Sequence, residues 1–199
     1  KVRQARKINC ELLLSDHPQD CLSCERSGQC ELQTLARTLG ITSLRFQGEM
    51  SPGSRDISPA ITRDTSKCIQ CRRCVSVCNQ VQGIGVLNAQ NRGFSTVIGP
   101  ALGQSISEVD CTNCGQCVAA CPVNALSETN GIQKVWDAVN DPYIRTVVQV
   151  APAVRVAIGE EFGLPPGEAV TGKLATALKE MMFDDIFDTN FAADLTIME

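Results

Sequence analysis

Twelve cysteines in 199 residues stand at positions 10, 21, 24, 30, 68, 71, 74, 78, 111, 114, 117 and 121. Eight of them form two copies of one spacing, Cys-x2-Cys-x2-Cys-x3-Cys: Cys68, Cys71, Cys74 and Cys78, then Cys111, Cys114, Cys117 and Cys121. Three thiolates two residues apart on a tight turn point inward at one four-iron cubane, while the fourth, beyond a longer gap at a helix start, points toward a second. The fourth ligands therefore cross over. One cluster takes Cys68, Cys71, Cys74 and Cys121, and the other takes Cys111, Cys114, Cys117 and Cys78. Two other uses of the thiols weigh less. Disulfides need an oxidising compartment and suit poorly a run of four thiols within eleven residues. Zinc favours two separated Cys-x2-Cys pairs over a tripled spacing. The copies differ at one place: Pro122 follows the second run and Asn79 the first.

A third set is less complete. Cys21, Cys24 and Cys30 are one thiol short of a cubane, and His17, the single histidine of the chain, stands four residues before the first of them. A lone histidine is more often a surface or satisfied core residue than a ligand. Counting changes the balance, because eleven cysteines plus His17 make twelve ligands, enough for three 4Fe-4S clusters, with Cys10 left over as a small buried hydrophobe. A neutral imidazole in place of a thiolate makes a cluster less negative and raises its potential, as in Rieske centres. Arg72 and Arg73, inside the first run, read as exposed charge in preference to tuning a potential or docking a redox partner.

The elements that must position these ligands follow from the apolar pattern. Residues 1–14 and 31–39 read as helices, the second with Leu32, Leu35, Ala36 and Leu39 on one face. Residues 1–46 make a histidine- and cysteine-ligated module. Residues 47–60, with Gly48, Pro52 and Gly53, make a linker. Residues 61–140 make a ferredoxin-like domain for two 4Fe-4S clusters, with strands at 61–63, 86–90 and 94–98, the last two forming a hairpin about Asn91, Arg92 and Gly93. From residue 146 the pattern turns to strand, helix, helix, strand, helix, with Thr171 and Thr189 as helix caps. The expected class is α+β, ending in the start of an α/β domain. Two strands cannot make a stable, doubly covered parallel sheet. With Lys1 and not Met at the start, the expectation is a piece of a longer chain.

Composition excludes other classes. Hydrophobic residues are 43%, charged residues 20% and the net charge is −4, which is ordinary globular usage. No apolar stretch approaches the roughly 18 residues that read as a membrane span, and no secretory signal is evident, so a cytoplasmic location is expected. No lysine- or arginine-rich stripe offers a surface for nucleic acid.

The motif His-Pro-x-Asp-Cys-x2-Cys-x5-Cys-Glu-Leu-Gln over residues 17–33 resembles the histidine-ligated cluster module of FeFe hydrogenases, NAD-linked formate dehydrogenases and the iron–sulfur subunit of NADH:quinone oxidoreductase. The double run after it fits the first two best. The tail then discriminates: Val-Val-Gln-Val-Ala-Pro-Ala-Val-Arg at 147–155 and Phe-Asp-Asp-Ile-Phe-Asp-Thr-Asn-Phe at 183–191 resemble the opening of the FeFe-hydrogenase catalytic domain. The resemblance implies an electron relay serving H2 ⇌ 2H+ + 2e−. The reaction would take place at a six-iron H-cluster whose four cysteine ligands lie beyond the matched stretch, no cysteine following Cys121. It further implies an upstream 2Fe-2S cluster and a hetero-oligomeric complex in an anaerobe. The partners it implies are an NAD(P)-binding flavoprotein and a thioredoxin-like 2Fe-2S subunit, or ferredoxin, with electron bifurcation as one mode. The competing readings are the iron–sulfur portion of a formate dehydrogenase, marked by molybdenum or tungsten and a pterin, and a non-catalytic polyferredoxin-type carrier.

Overall fold

The structure, a computed structural model, describes residues 1–50 and 53–198 and divides into two units, residues 1–129 and 130–199. Ser51 and Pro52 of the expected linker, and Glu199 at the end of the tail, lie outside the described residues.

The first unit begins with two helices, α1 (Val2–Ser15) and α2 (Glu31–Leu39), packed on each other. The apolar face of α2 buries Leu32 and Leu39. Gly40 ends α2 in the left-handed region at φ 66°, so that the Ile41 N–H bonds back to the Ala36 carbonyl, the closure glycine permits at a helix end. The long Lys7 side chain ties the helices together from Nζ to the Gly40 carbonyl at 3.0 Å. Cys10 is fully buried here, and burial followed by the adjacent Glu11 pushes its thiol up.

A three-stranded antiparallel sheet follows, ordered β1 (Arg55–Ile57), β2 (Ile61–Asp64), β5 (Leu126–Glu128). Ile61 faces Glu128 and Arg63 faces Leu126. Residues 55–57 thus belong to the sheet rather than to a connecting loop. What holds them is non-local: Asp56 accepts from the Ser105 hydroxyl at 2.6 Å and the Ile106 N–H at 3.0 Å. Burial pushes the Asp56 carboxyl up, but those two donors and Arg63 outweigh it and hold the group below the usual carboxylate range. Between β2 and β5 run α3 (Arg73–Ser76), the hairpin β3 (Asn88–Gln90) and β4 (Val97–Gly99), and α4 (Gln116–Ala120). Ile61, Leu87, Ile98, Ile106, Val123 and Leu126 form the apolar core around which these elements close, each contributing about 1.5–3 kcal/mol by burial.

The second unit starts at α5 (Ile132–Val139), which clusters with the tail and not with the ferredoxin-like residues. Strand β6 (Val147–Val150) pairs in parallel with β7 (Asp185–Asp188), Val147 facing Asp185, with α6 (Val154–Glu161) and α7 (Thr171–Glu180) in the crossover. A final helix, α8, spans Thr189–Met198. Its cap is Asp188 and not Thr189: Asp188 Oδ1 accepts the Asn190 N–H, while the Thr189 hydroxyl donates to the Val150 carbonyl at 2.7 Å and fastens α8 to β6. Thr171 likewise sits inside its helix, one residue past the cap. No helix among the described residues is long and apolar enough to cross a membrane.

Glu11 is the largest fully buried side chain of the first unit, at 1% exposure, and its Oε2 accepts from Arg45 Nε at 2.8 Å and Nη2 at 2.5 Å. A buried carboxylate stripped of its cation keeps its desolvation cost. Arg45→Ala is expected to lower stability by about 1–3 kcal/mol, read as a lower urea midpoint under anaerobic conditions. An unchanged midpoint would mean that Glu11 does not depend on this pair.

Candidate metal centres

The pairing of β2 with β5 decides where the ligands meet. Strand β2 leads into the first cysteine run and β5 leads out of the second, so their register sets Cys68 beside Cys121. Asp64 starts the turn between them: its N–H bonds the Ala125 carbonyl at 2.8 Å, and its Oδ1 accepts the Ser66 N–H at 3.0 Å, beginning the short 3-10 turn Thr65–Lys67 that delivers Cys68. On the other side α3 packs on α4, and the π-turn Val77–Val81 that continues α3 carries Cys78 toward the second run.

Each run bends its backbone in the same way. Gln70 and Arg72 in the first, and Asn113 and Gly115 in the second, lie in the left-handed region at φ 53°, 60°, 53° and 73°. Alternating right- and left-handed residues turn successive N–H groups toward one point, the nest that binds anions. In the first run that geometry is imposed on glutamine and arginine, at a cost of roughly 1–2 kcal/mol per residue. Glycine occupies only one of the four positions, Gly115. The Gln70 N–H already donates to Cys68 Sγ at 3.4 Å.

Two cavities lie inside these bends. The first is lined by Cys68, Cys71, Cys74 and Cys121, with Arg63, Asp64, Arg72, Leu87 and Ile98 among its walls. The second is lined by Cys111, Cys114, Cys117 and Cys78, with Ile61, Ile84, Leu87 and Ile106. Each holds three thiols of one run and the fourth of the other, and Leu87 forms part of both walls. Burial, then the neighbouring Cys68, Cys121 and Cys71, pushes the Cys74 thiol up to about 12; burial, with Cys111 and Cys114 adding to it, pushes Cys117 up to about 11. Thiols so crowded ionise only against a compensating positive centre. Among the described residues no three His, Cys, Asp or Glu side chains converge closely enough for a single metal ion. Thiolates around one tetrahedral zinc would each stand about 2.3 Å from a common point. Eight thiols spread around two cavities, with the Gln70 N–H on Cys68 Sγ in the first, fit the larger, sulfide-bearing 4Fe-4S cluster.

The loop from 17 to 30 carries the remaining set. Cys30 is buried, Cys21 and Cys24 half-buried. Burial outweighs the nearby Asp20 and keeps the His17 imidazole below its ordinary range, so at neutral pH it is neutral, the form able to ligate. His17 lines a groove with Leu12 and Leu13 of α1 and with Cys68, Ile69 and Gln70 of the first run. Three contacts dock this loop beside the first cavity. Arg26 Nη2 donates to the Cys121 carbonyl at 2.8 Å, the Glu31 N–H to the Pro122 carbonyl at 3.0 Å, and both terminal nitrogens of Arg73 to Glu31 at 2.6 and 2.9 Å. Arg73 is therefore an exposed docking charge. Asn79 stands where the second run has Pro122; it keeps the backbone N–H that proline lacks, the helical turn runs on through it to Val81, and its side-chain amide bonds the Val75 and Leu87 carbonyls at 2.9 and 3.0 Å. The residue that sequence reasoning missed is Arg63, buried in the first cavity wall. In a four-residue strand whose first three residues are all buried, no inside–outside alternation marks Arg63 as inward.

Comparison with known families divides the chain in the same order. The NADH-ubiquinone oxidoreductase-G iron-sulfur binding region matches residues 6–45, the 4Fe-4S dicluster domain residues 67–125, and the iron only hydrogenase large subunit, C-terminal domain, residues 144–199. The NADP-reducing hydrogenase subunit HndD of Solidesulfovibrio fructosivorans is 54% identical over the whole chain, which covers 34% of that protein. Iron hydrogenase 1 of Clostridium pasteurianum is 37% identical over the whole chain, which covers 35% of it. The chain thus spans about a third of the length of these relatives. Among solved structures, an NAD+-reducing [NiFe]-hydrogenase in the H2-reduced state aligns with a TM-score of 0.60 and 26% identity over 64% of this chain and 55% of its own.

The crossed ligand sets make a direct prediction. Cys121→Ser is expected to remove or alter the EPR signal of the cluster shared with Cys68, Cys71 and Cys74, and Cys78→Ser that of the other. Loss of the same signal in both variants would refute the crossing.

Proposed function

The chain belongs with the iron-only hydrogenase large subunits, and on that premise we propose that residues 1–129 are the electron relay of such an enzyme and residues 144–199 the first part of its catalytic domain. The observation that carries this reading is the pair of four-thiol cavities sharing the Leu87 wall, in a chain similar over its full length to a hydrogenase subunit and to an iron hydrogenase. Each 4Fe-4S cluster, when bound, stores and passes one electron at a time.

What the chain supplies is position and charge. The β2–β5 pairing and the α3–α4 packing hold the two cavities side by side. Arg26, Glu31 and Arg73 hold the 17–30 loop against the first of them. The order along the relay is then the set of His17, Cys21, Cys24 and Cys30, the Cys68 set, and the Cys111 set, with H2 chemistry at an H-cluster carried by residues outside 1–199. His17 is the fourth ligand of the outer set, supported by its neutral form and its place four residues before Cys21. The full protein is read as carrying a 2Fe-2S cluster as well. It would work in the cytoplasm of an anaerobe within a hetero-oligomer that includes an NAD(P)-binding flavoprotein and a thioredoxin-like 2Fe-2S subunit, or with ferredoxin, electron bifurcation being one mode. The name of the relative from Solidesulfovibrio, an NADP-reducing hydrogenase subunit, supports the NAD(P) link. A formate dehydrogenase or a polyferredoxin is disfavoured by the parallel β6–β7 pair and the hydrogenase-domain match over the tail.

Two measurements test the proposal. The anaerobically purified full-length protein is expected to reduce viologen with H2 and to contain iron without molybdenum or tungsten; activity with formate alone would overturn it. His17→Cys, which puts a charged ligand in place of a neutral one, is expected to lower the midpoint potential of the outer cluster and change its EPR spectrum. An unchanged spectrum would remove His17 from the ligand set.

A further inference from the structure

Arg63 stands in the wall of the first cavity at 8% exposure. Its guanidinium is fixed on three sides. Nη1 donates to the Ile98 carbonyl at 3.1 Å, and Nη2 reaches Asp56 Oδ2 at 3.4 Å. Its face lies against Gly99, where a Cβ would come within 2.7 Å of Nη1. Of its three nitrogens, Nε alone is buried without a partner among the described residues. A buried donor without an acceptor keeps the cost of leaving water, so one held this firmly calls for an acceptor that the described residues do not provide.

We propose that Arg63 is a positioning residue for electron flow: its Nε–H donates to the cluster held by Cys68, Cys71, Cys74 and Cys121 and raises that cluster's reduction potential above that of its neighbour. Each electron accepted adds one negative charge to a centre already surrounded by thiolates, and a cation fixed in a dry wall offsets it. The second cavity has no such group. Its lining side chains, the ligands aside, are apolar or glutamine. The other charges on the first wall do not replace Arg63: Arg72 is exposed, and Asp64 is occupied by the Ser66 N–H and hydroxyl. The cluster nearest the His17 loop is thereby the deeper of the two wells, the place where an electron crossing the relay pauses.

The inference rests on the crossed ligand assignment above, and one experiment separates the two. EPR-monitored redox titration of the anaerobically prepared full-length protein is expected to give two ferredoxin-like signals, the one sensitive to Cys121→Ser at the higher midpoint. Arg63→Gln is expected to lower that midpoint and leave the other unmoved, and Arg63→Lys to restore part of the shift. Asp56→Asn, which keeps the shape and removes the opposing charge, is expected to raise it, and decides the matter alone if Arg63→Gln does not assemble. A gap between the two midpoints that stays constant through these variants would overturn the role of Arg63. Failure of the wild type to show two signals would overturn the ligand assignment instead.

Discussion

Four thiols around one buried cavity repel each other as soon as they ionise, and everything in the first unit is arranged about that repulsion. In water the charges would be screened. Here apolar walls of Leu87, Ile98, Val123 and Leu126 remove the solvent, and the energy of keeping anionic sulfur inside rises accordingly. Compensation comes from three sources. They are the positive metal centre implied by the donor set, the N–H groups gathered by left-handed backbone at Gln70, Arg72, Asn113 and Gly115, and the guanidinium of Arg63. The backbone strain at Gln70 and Arg72 has the same origin, since the conformation that costs energy is the one that aims donors inward.

The sheet serves this constraint more than it serves stability in its own right. Strands of three or four residues are too short to stand alone. Pairing β2 with β5 joins the chain entering the first run to the chain leaving the second, and in doing so closes each cavity with a ligand from the other run. The hairpin β3–β4 then covers the first cavity through Ile98 and supplies the carbonyl that fixes Arg63. The 17–30 loop is brought to the same side by contacts to the Cys121 and Pro122 backbone, so three ligand sets follow one another without a large domain between them.

Much of this was legible in the sequence because covalent spacing is local. The two runs and the helix over 31–39 follow from distances of a few residues, as do the β3–β4 hairpin and the parallel order of β6 and β7. What escaped depended on partners far along the chain. Residues 55–57 look like part of a glycine- and serine-rich connector, and become a strand because β2 and the Ser105–Ile106 backbone receive them. Leu126–Glu128 follow a cysteine run with too short a pattern to read. Arg72 and Arg73 drew attention by lying between ligands, yet the buried cation is Arg63, five residues upstream of Cys68 in a strand whose burial is set by Ile98, Asp56 and Gly99. Asp188 and Thr189 are adjacent residues of capping type, and the structure separates them by the Thr189 hydroxyl's bond to the Val150 carbonyl, which leaves the cap to Asp188.

The central claim is that twelve side chains, eleven thiols and one imidazole, hold three four-iron clusters in one short relay. It is tested most directly by iron and acid-labile sulfide analysis with Mössbauer spectroscopy on the anaerobically purified holoprotein restricted to the clusters of this region, by comparison with a variant lacking all three ligand sets. The account predicts a difference equal to three 4Fe-4S clusters. A difference of two clusters would contradict the His17 set, and zinc or disulfides in place of iron and sulfide would contradict the account as a whole.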